Sequence, residues 1–326
     1  MKQFRRILCV ASGLGASKAA LERAVALAES DQASLAVAGV APYLPSGTGP
    51  SDSSSRSDDL QAAAESELRR SLREITSTYH DRIAIEIEIL SGVPFLEIIR
   101  DVLRKGRDLV IKAPEPGGLR HRLFGSEDMH LLRKCPCPLW LIKANAPTSY
   151  RQVIAAVDVG DEYPEAEIQT RWALNHDVLR LASSVALADI AELHVVSAWE
   201  AMGESTLGGA FIKTPVSRLS AYVELVRQRH QRNLDRLIDE AGHYLDKGSR
   251  ESLKLQLHLV KGRPRRVIPA IAQRLEADLV VMGTVARTGV PGLLMGNTAE
   301  TILNQIDSSV LAVKPAGFVT PVTQEG

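Results

Sequence analysis

Residues 277–314 read ADLVVMGTVARTGVPGLLMGNTAETILNQIDSSVLAVK, and the order of signals within them decides the fold. Leu279 to Met282 form a short continuous apolar run. That is the length and composition of a strand buried on both faces of a parallel sheet. The run ends at Gly283, and further along Gly296 precedes Asn297-Thr298-Ala299-Glu300. This reads as a helix start, because asparagine is a favoured N-cap and a glutamate three positions on can close a capping box. Ser309 to Val313 then supplies another buried strand. A strand, a glycine-bearing loop and a helix N-terminus in that order converge unpaired backbone N–H groups on one place, a common way of holding phosphate.

The spacing resembles the nucleotide loop of ATP-binding universal stress proteins, G-x2-G-x9-G-[S/T] after a buried strand, met here as Gly283-x2-Ala286-x9-Gly296-Asn297. Ala286 stands where that family has its second glycine. Asn297 stands where it has serine or threonine, with Thr298 one residue later. The segments His130-Leu-Leu-Arg-Lys-Cys-Pro-Cys-Pro-Leu-Trp140 and Gly296-Asn-Thr-Ala-Glu300 are similar to the two-domain E-type members. The resemblance implies an α/β fold of two tandem Rossmann-like domains (adenine nucleotide alpha hydrolase-like), each a five-stranded parallel sheet of order 3-2-1-4-5 flanked by helices. It also implies last strands that pair across a pseudo-two-fold axis, so that one chain mimics the dimer of single-domain relatives. The implied role is a stress-response regulator, with ATP and Mg as ligands.

The residues carry a duplication of their own. Val153 to Asp158 matches Ile7 to Ser12, Gly262-Arg263-Pro264 matches Gly92-Val93-Pro94, and Lys314 matches Lys143. The offset grows from 158 − 12 = 146 to 262 − 92 = 170, so the second half carries insertions, mainly around Asp161 to Ala166 and in Ala201 to Val216. The expected units are residues 1–146 and 147–326. In the first half, an apolar run at Ile7 to Ala11 and strands expected at Leu35 to Val40, Ile83 to Leu90, Leu109 to Lys112 and Leu139 to Lys143 alternate with helical patterns. Alternating strands and helices pair in parallel through right-handed crossovers. Pro45 to Asp59 is rich in Ser, Gly, Pro and Asp and is expected to remain a mobile loop.

Composition narrows the function. Thirty-nine basic and 39 acidic residues cancel, so no general pull toward nucleic acid or anionic membrane is expected. Aromatics are 4%, few for stacking single-stranded bases. No run of 18 apolar residues occurs and the start MKQFRRILCVASG does not read as a signal peptide, so a cytoplasmic location is expected. Three cysteines make no disulfide framework; Cys9 sits in an apolar run, and Cys135 and Cys137 flank Pro136 too closely for an easy bridge.

In open sheets of this kind, ligands bind beyond the carboxyl ends of the strands where the order reverses. That directs attention to the loops after Val157, Val260 and Met282. The candidate ATP contacts are Val157, Asp158, Val260, Gly283, Ala286, Arg287, Gly296, Asn297 and Thr298. Asp158 has two readings: the acidic residue with which the family orients adenine and ribose, or an Asx turn at a strand end. Gly283, Gly289, Gly292 and Gly296 either allow close approach to phosphate or supply positive φ. Asn297 presents a polar group to phosphate or caps the helix, and Arg287 pairs with phosphate or with water. The first-half counterpart, Ala113 to Asp128, contains Pro114 and Pro116, which remove two donors, and Glu127 and Asp128, whose charge would repel phosphate. One nucleotide site, in the second half, is therefore expected. His121, His130, Cys135 and Cys137 do not have usual zinc spacing, and no metal is expected there. The stretch from Ala201 to Val216 reads as either a lid or a surface excursion.

Three function classes compete. The first is the nucleotide-binding regulator; the second is an interaction module whose emptied pocket holds a protein partner or an apolar ligand; the third is an enzyme. The SGGxDS, G-x-S-x-G and Walker patterns are missing, and no general base is placed beside the glycine loop. No catalytic residue is therefore assigned. An internal pseudo-dimer is expected, with a further homodimer left open.

Overall fold

The computed structural model describes residues 3–11, 18–41, 52–114, 124–208, 214–284 and 295–324. Strands β1 (Arg6–Val10), β2 (Ser34–Ala41), β3 (Ile85–Ser91), β4 (Leu109–Lys112) and β5 (Leu139–Leu141) alternate with helices α1 (Lys18–Asp31), α2 (Asp52–Thr76), α3 (Pro94–Lys105) and α4 (Ser126–Lys134). The second half repeats the pattern as β6 (Gln152–Val157), α5 (Glu165–Asp189), β7 (Glu192–Trp199), α6 (Glu204–Leu207), α7 (Val216–Gly242), α8 (Lys247–Ser252), β8 (Lys254–Lys261), α9 (Pro264–Arg274), β9 (Leu279–Gly283), α10 (Asn297–Leu303) and β10 (Ser309–Val313).

These strands form one sheet in the order β3-β2-β1-β4-β5-β10-β9-β6-β7-β8. Each half thus has the expected 3-2-1-4-5 order, and its internal pairings are parallel. The halves meet where β5 and β10 pair antiparallel, Trp140 opposite Leu311. Central strands such as β4, β5, β9 and β10 are buried along nearly their whole length because helices cover both faces. That is why they read as nearly continuous apolar runs rather than alternating ones.

The duplication extends to hydrogen bonds. Asp108, just before β4, accepts from the backbone N–H groups of Arg5 and Arg6 at 2.8 and 2.9 Å. Asp278, just before β9, does the same for Arg151 and Gln152 at 2.6 and 3.0 Å. Gly92 and Gly262 adopt φ of +141° and +140°, where a side chain would be strained, and each leads into a proline-initiated helix. One expectation is corrected: residues 52–59 are helical, the opening turns of α2, rather than loop. Once the apolar face of a long helix is nucleated, extending it over polar residues adds one hydrogen bond per residue at little cost.

A charged joint ties the halves on one face of the sheet. Arg23 of α1 donates to Asp189 at the end of α5 (2.9 Å) and to the carbonyl of Thr148 (2.8 Å), and its guanidinium lies 4.3 Å from the Tyr150 ring centroid. Asp189 in turn accepts from the Tyr150 backbone N–H at 2.8 Å. Both side chains of the pair are about nine-tenths buried. Arg23→Ala would leave the Asp189 charge buried without its cation, and a loss of about 3 kcal/mol is expected, read as a lower denaturation midpoint.

Candidate functional site

A cleft of about 270 Å³ opens at the carboxyl ends of β6 and β9, the point in the second half where the strand order reverses. Its floor is apolar, formed by Ala156 and Val157 of β6, Ala198 of β7 and Met282 of β9, with Leu174 and Val178 of α5 and Ile268 of α9 as walls. Its rim is polar: Asp158, Tyr163, Arg171 and Asn175 on one side, Thr284, Asn297 and Thr298 on the other. Concave, largely apolar sites with a few convergent polar groups are the usual form of small-molecule sites.

Asp158 closes the Asx turn that one reading offered, and its side chain stands at the rim of the cleft. One carboxylate oxygen accepts from the Gly160 N–H at 3.1 Å, closing an Asx turn. The other accepts from Arg171 at 2.5 Å and from the Tyr163 hydroxyl at 3.2 Å, and the side chain remains 42% exposed at the cleft rim. Asn175 clamps the same residue's backbone, accepting from its N–H at 3.0 Å and donating to its carbonyl at 2.7 Å. The Arg171 guanidinium is fixed further by Glu167 (2.7 Å) and by the Tyr163 ring, 3.8 Å from its centroid. Burial, and then the Asp158 charge, push the Tyr163 phenol up to about 12, so it stays a hydrogen-bond donor at neutral pH. Arg171, Leu174, Asn175 and Val178 recur at i, i+3, i+4 and i+7, one face of α5. That stripe was visible in the sequence, but its target was not.

Across the cleft, Asn297 does not cap the helix as expected. Gly296, extended at φ −66° and ψ 144°, is the cap, and Asn297 is the first helical residue. Its side chain is therefore released to the cleft. Glu300, expected to close a capping box, instead pairs with Arg133 of the first half at 2.6 Å. The stem of the loop is closed by the Gly296 N–H donating to the Thr284 carbonyl at 3.0 Å. Gly283 owes its identity to packing rather than to positive φ, since a Cβ there would lie 2.5 Å from the Leu174 side chain. Val157, Asp158, Gly283, Gly296, Asn297 and Thr298 come together in one cleft. Val260 faces a separate hollow, because β7 intervenes between the edge strand β8 and the cleft. Ala286, Arg287, Gly289 and Gly292 lie outside the described residues.

Against this geometry, the family model described as "Universal stress protein family" matches residues 3–143 and again 149–314. The chain belongs to the universal stress protein family. This universal stress protein is 32% identical over 242 residues to Universal stress protein E of Escherichia coli, a match covering 74% of this chain and 71% of that one. It is 27% identical over 327 residues to the Universal stress protein E homolog of Haemophilus influenzae, covering 96% and 98%. Among solved structures, a protein of unknown function from Pseudomonas aeruginosa superposes with a TM-score of 0.68 at 28% identity, over 96% of this chain and 94% of that one.

In the first half of this universal stress protein a buried ion pair stands at the corresponding positions. Strand register and helix caps align Lys112 with Met282 and Asp128 with Ala299. Lys112 donates to Asp128 at 2.8 Å, and the two side chains are 2% and 0% exposed. Glu127 accepts from the Phe95 backbone N–H at 3.0 Å. The acidic residues expected to repel phosphate from an open loop are thus engaged internally, Asp128 in a buried ion pair. The ring of His130 stacks on Phe95 at 4.4 Å, and the Cys135 and Cys137 sulfurs lie 3.6 Å apart as free thiols. His121 lies outside the described residues. Phe211 and Ile212 of the suggested lid also lie there; Ala201 packs under Trp199 and Val226, while Met202 is exposed.

Lys314, at the end of β10, reaches from the second half into the first. Its ammonium donates to the carbonyl of Leu132 (2.5 Å) at the end of α4 and to the Thr284 hydroxyl (2.8 Å) at the cleft. Burial lowers its pKa to about 8. The folded state therefore releases this proton at lower pH than the unfolded state, and stability linked to it rises as pH climbs from about 8 toward the unfolded value. Lys314→Met is expected to flatten that rise relative to wild type, as measured by denaturation midpoints between pH 7.5 and 10.

Proposed function

We propose that this universal stress protein is a stress-response regulator that takes one adenine nucleotide, ATP in the first instance, in the cleft of its second half. One observation carries the reading: Met282 and Ala299 line a cleft, apolar below and polar at the rim, in the second half, where the equivalent positions of the first half hold the buried Lys112–Asp128 ion pair. A purine suits the floor between Val157, Val178 and Ile268. Asp158 and Asn175 suit the ribose edge, and the Gly283 to Thr298 side, which resembles the family's nucleotide loop, suits phosphate. Asp158 is the one carboxylate among the described lining residues, so Mg would arrive with the phosphates rather than in a protein cage. The functional division follows the duplication, with residues 1–146 as the closed partner and 147–326 as the ligand-bearing unit. A cytoplasmic location is part of this reading.

No described side chain stands as a general base by the phosphate side, so turnover is not part of the proposal. An apolar ligand is the competing occupant, since the floor would accept one, but it leaves the convergent Asp158, Arg171, Asn297 and Thr298 without a role. Calorimetric titration with a non-hydrolysable ATP analogue and Mg is expected to give one site per chain. No binding at millimolar analogue, or a lipid-like molecule carried through purification, would overturn the reading.

A further inference from the structure

The cleft is not the only place where the second half departs from the first. A hollow of about 730 Å³ lies between the end of edge strand β8 and helix α9, lined by four cations, Lys261, Arg263, Arg266 and Arg274, and a single acid, Glu200. Its base is apolar, with Val267 and Ile271 at the centre. Two of the cations are partly offset, Lys261 by Glu204 at 2.6 Å and Arg263 by Glu200 at 3.4 Å. Arg266 and Arg274 are exposed and have no ion pair among the described residues. The hollow therefore keeps a positive excess in a protein whose net charge is zero.

The duplication shows that the fold does not need these charges. The first half builds the same turn, with a left-handed glycine followed by a proline-initiated helix. There Ser91, Val93 and Leu96 stand at the positions of Lys261, Arg263 and Arg266. The fourth position has a basic counterpart, Arg104, but that one lies 3.9 Å from Glu97. Arg263, the N-cap of α9, and Arg266 and Arg274 within it share one face, the outer two 11 positions and about 16 Å apart.

β8 is also the last strand in the sheet, so its outer N–H and C=O groups have no strand partner among the described residues. Leu255 and Leu257 on it are 38% and 42% exposed. An unpaired edge beside an apolar base is a template for an added strand. Side chains on one face of such a strand recur about every 7 Å, so two or three carboxylates would span the arginine row. A nucleic acid would lack aromatic stacking partners here, and polyphosphate could not pair with the strand edge.

We propose that the β8–α9 edge docks an extended acidic segment of a partner protein, which pairs with β8 and lays its carboxylates on Arg266, Arg274 and the neighbouring cations. The proposal is independent of nucleotide in the cleft. The test is fluorescence anisotropy of the full chain with a labelled short peptide alternating glutamate and valine, together with hydrogen exchange of the 254–261 amides. Binding that weakens as salt rises, with increased protection of those amides, is expected. Arg266→Gln with Arg274→Gln should weaken it by at least about 10-fold, a loss of about 1.4 kcal/mol, and circular dichroism should show the variant folded, both residues being exposed. The proposal fails if the peptide does not bind at millimolar concentration, or if the double variant binds it equally well. It also fails if an RNA oligonucleotide or polyphosphate binds more tightly than the peptide and is lost in the same variant.

Discussion

Lys112→Met is expected to lower the stability of this protein by about 3–5 kcal/mol, and adding Asp128→Ala to restore most of the loss. The single change removes the cation from a carboxylate that is 0% exposed and leaves that charge without its compensation. Removing one member of a buried pair is far costlier than removing both, because the survivor keeps a charge held away from water after losing the partner that offset it. The double variant would install the residues that the second half already uses at the same positions, Met282 and Ala299, both buried there. The measurement is a denaturant midpoint for wild type, single and double variants, followed through the buried Trp140 on the neighbouring strand. Equal losses in single and double variants would show that the pair does not act as a unit.

The reciprocal exchange tests the cleft. Met282→Lys together with Ala299→Asp is expected to abolish nucleotide binding, a loss of at least about 100-fold or 2.7 kcal/mol, in a chain that still folds. Both residues line the cleft. A lysine and an aspartate there can form the ion pair that the first half buries at the same positions, taking the space of the ligand while satisfying each other. Met282→Lys alone should be less stable than the double variant, since its ammonium would be buried unpaired. Undiminished binding of the ATP analogue by the double variant would place the nucleotide elsewhere.

Much of this architecture was legible as local pattern. Ile7 to Ala11, Leu109 to Ile111 and Val310 to Val313 are apolar without interruption because both of their faces are covered, a property set residue by residue. The duplication was legible too, in paired signals such as Gly92-Val93-Pro94 and Gly262-Arg263-Pro264, since each glycine answers to its own φ. Element ends were less so: Asn297 has the preferred chemistry of a cap, but the backbone already turns at Gly296.

Candidate-site composition was another matter. The sequence by itself determined the tandem α/β units, their strand order through family resemblance, and the neighbourhood in which Val157, Asp158, Gly283 and Gly296 would meet. Only the tertiary structure decided that Arg171, thirteen positions beyond Asp158, would neutralise it, that Gly283 is small for the sake of Leu174, and that Lys112 and Asp128 would close on one another. The reason is physical: strand and helix formation answer to neighbours a few positions apart, whereas charge pairing and steric limits in a cleft depend on side chains delivered by separate elements.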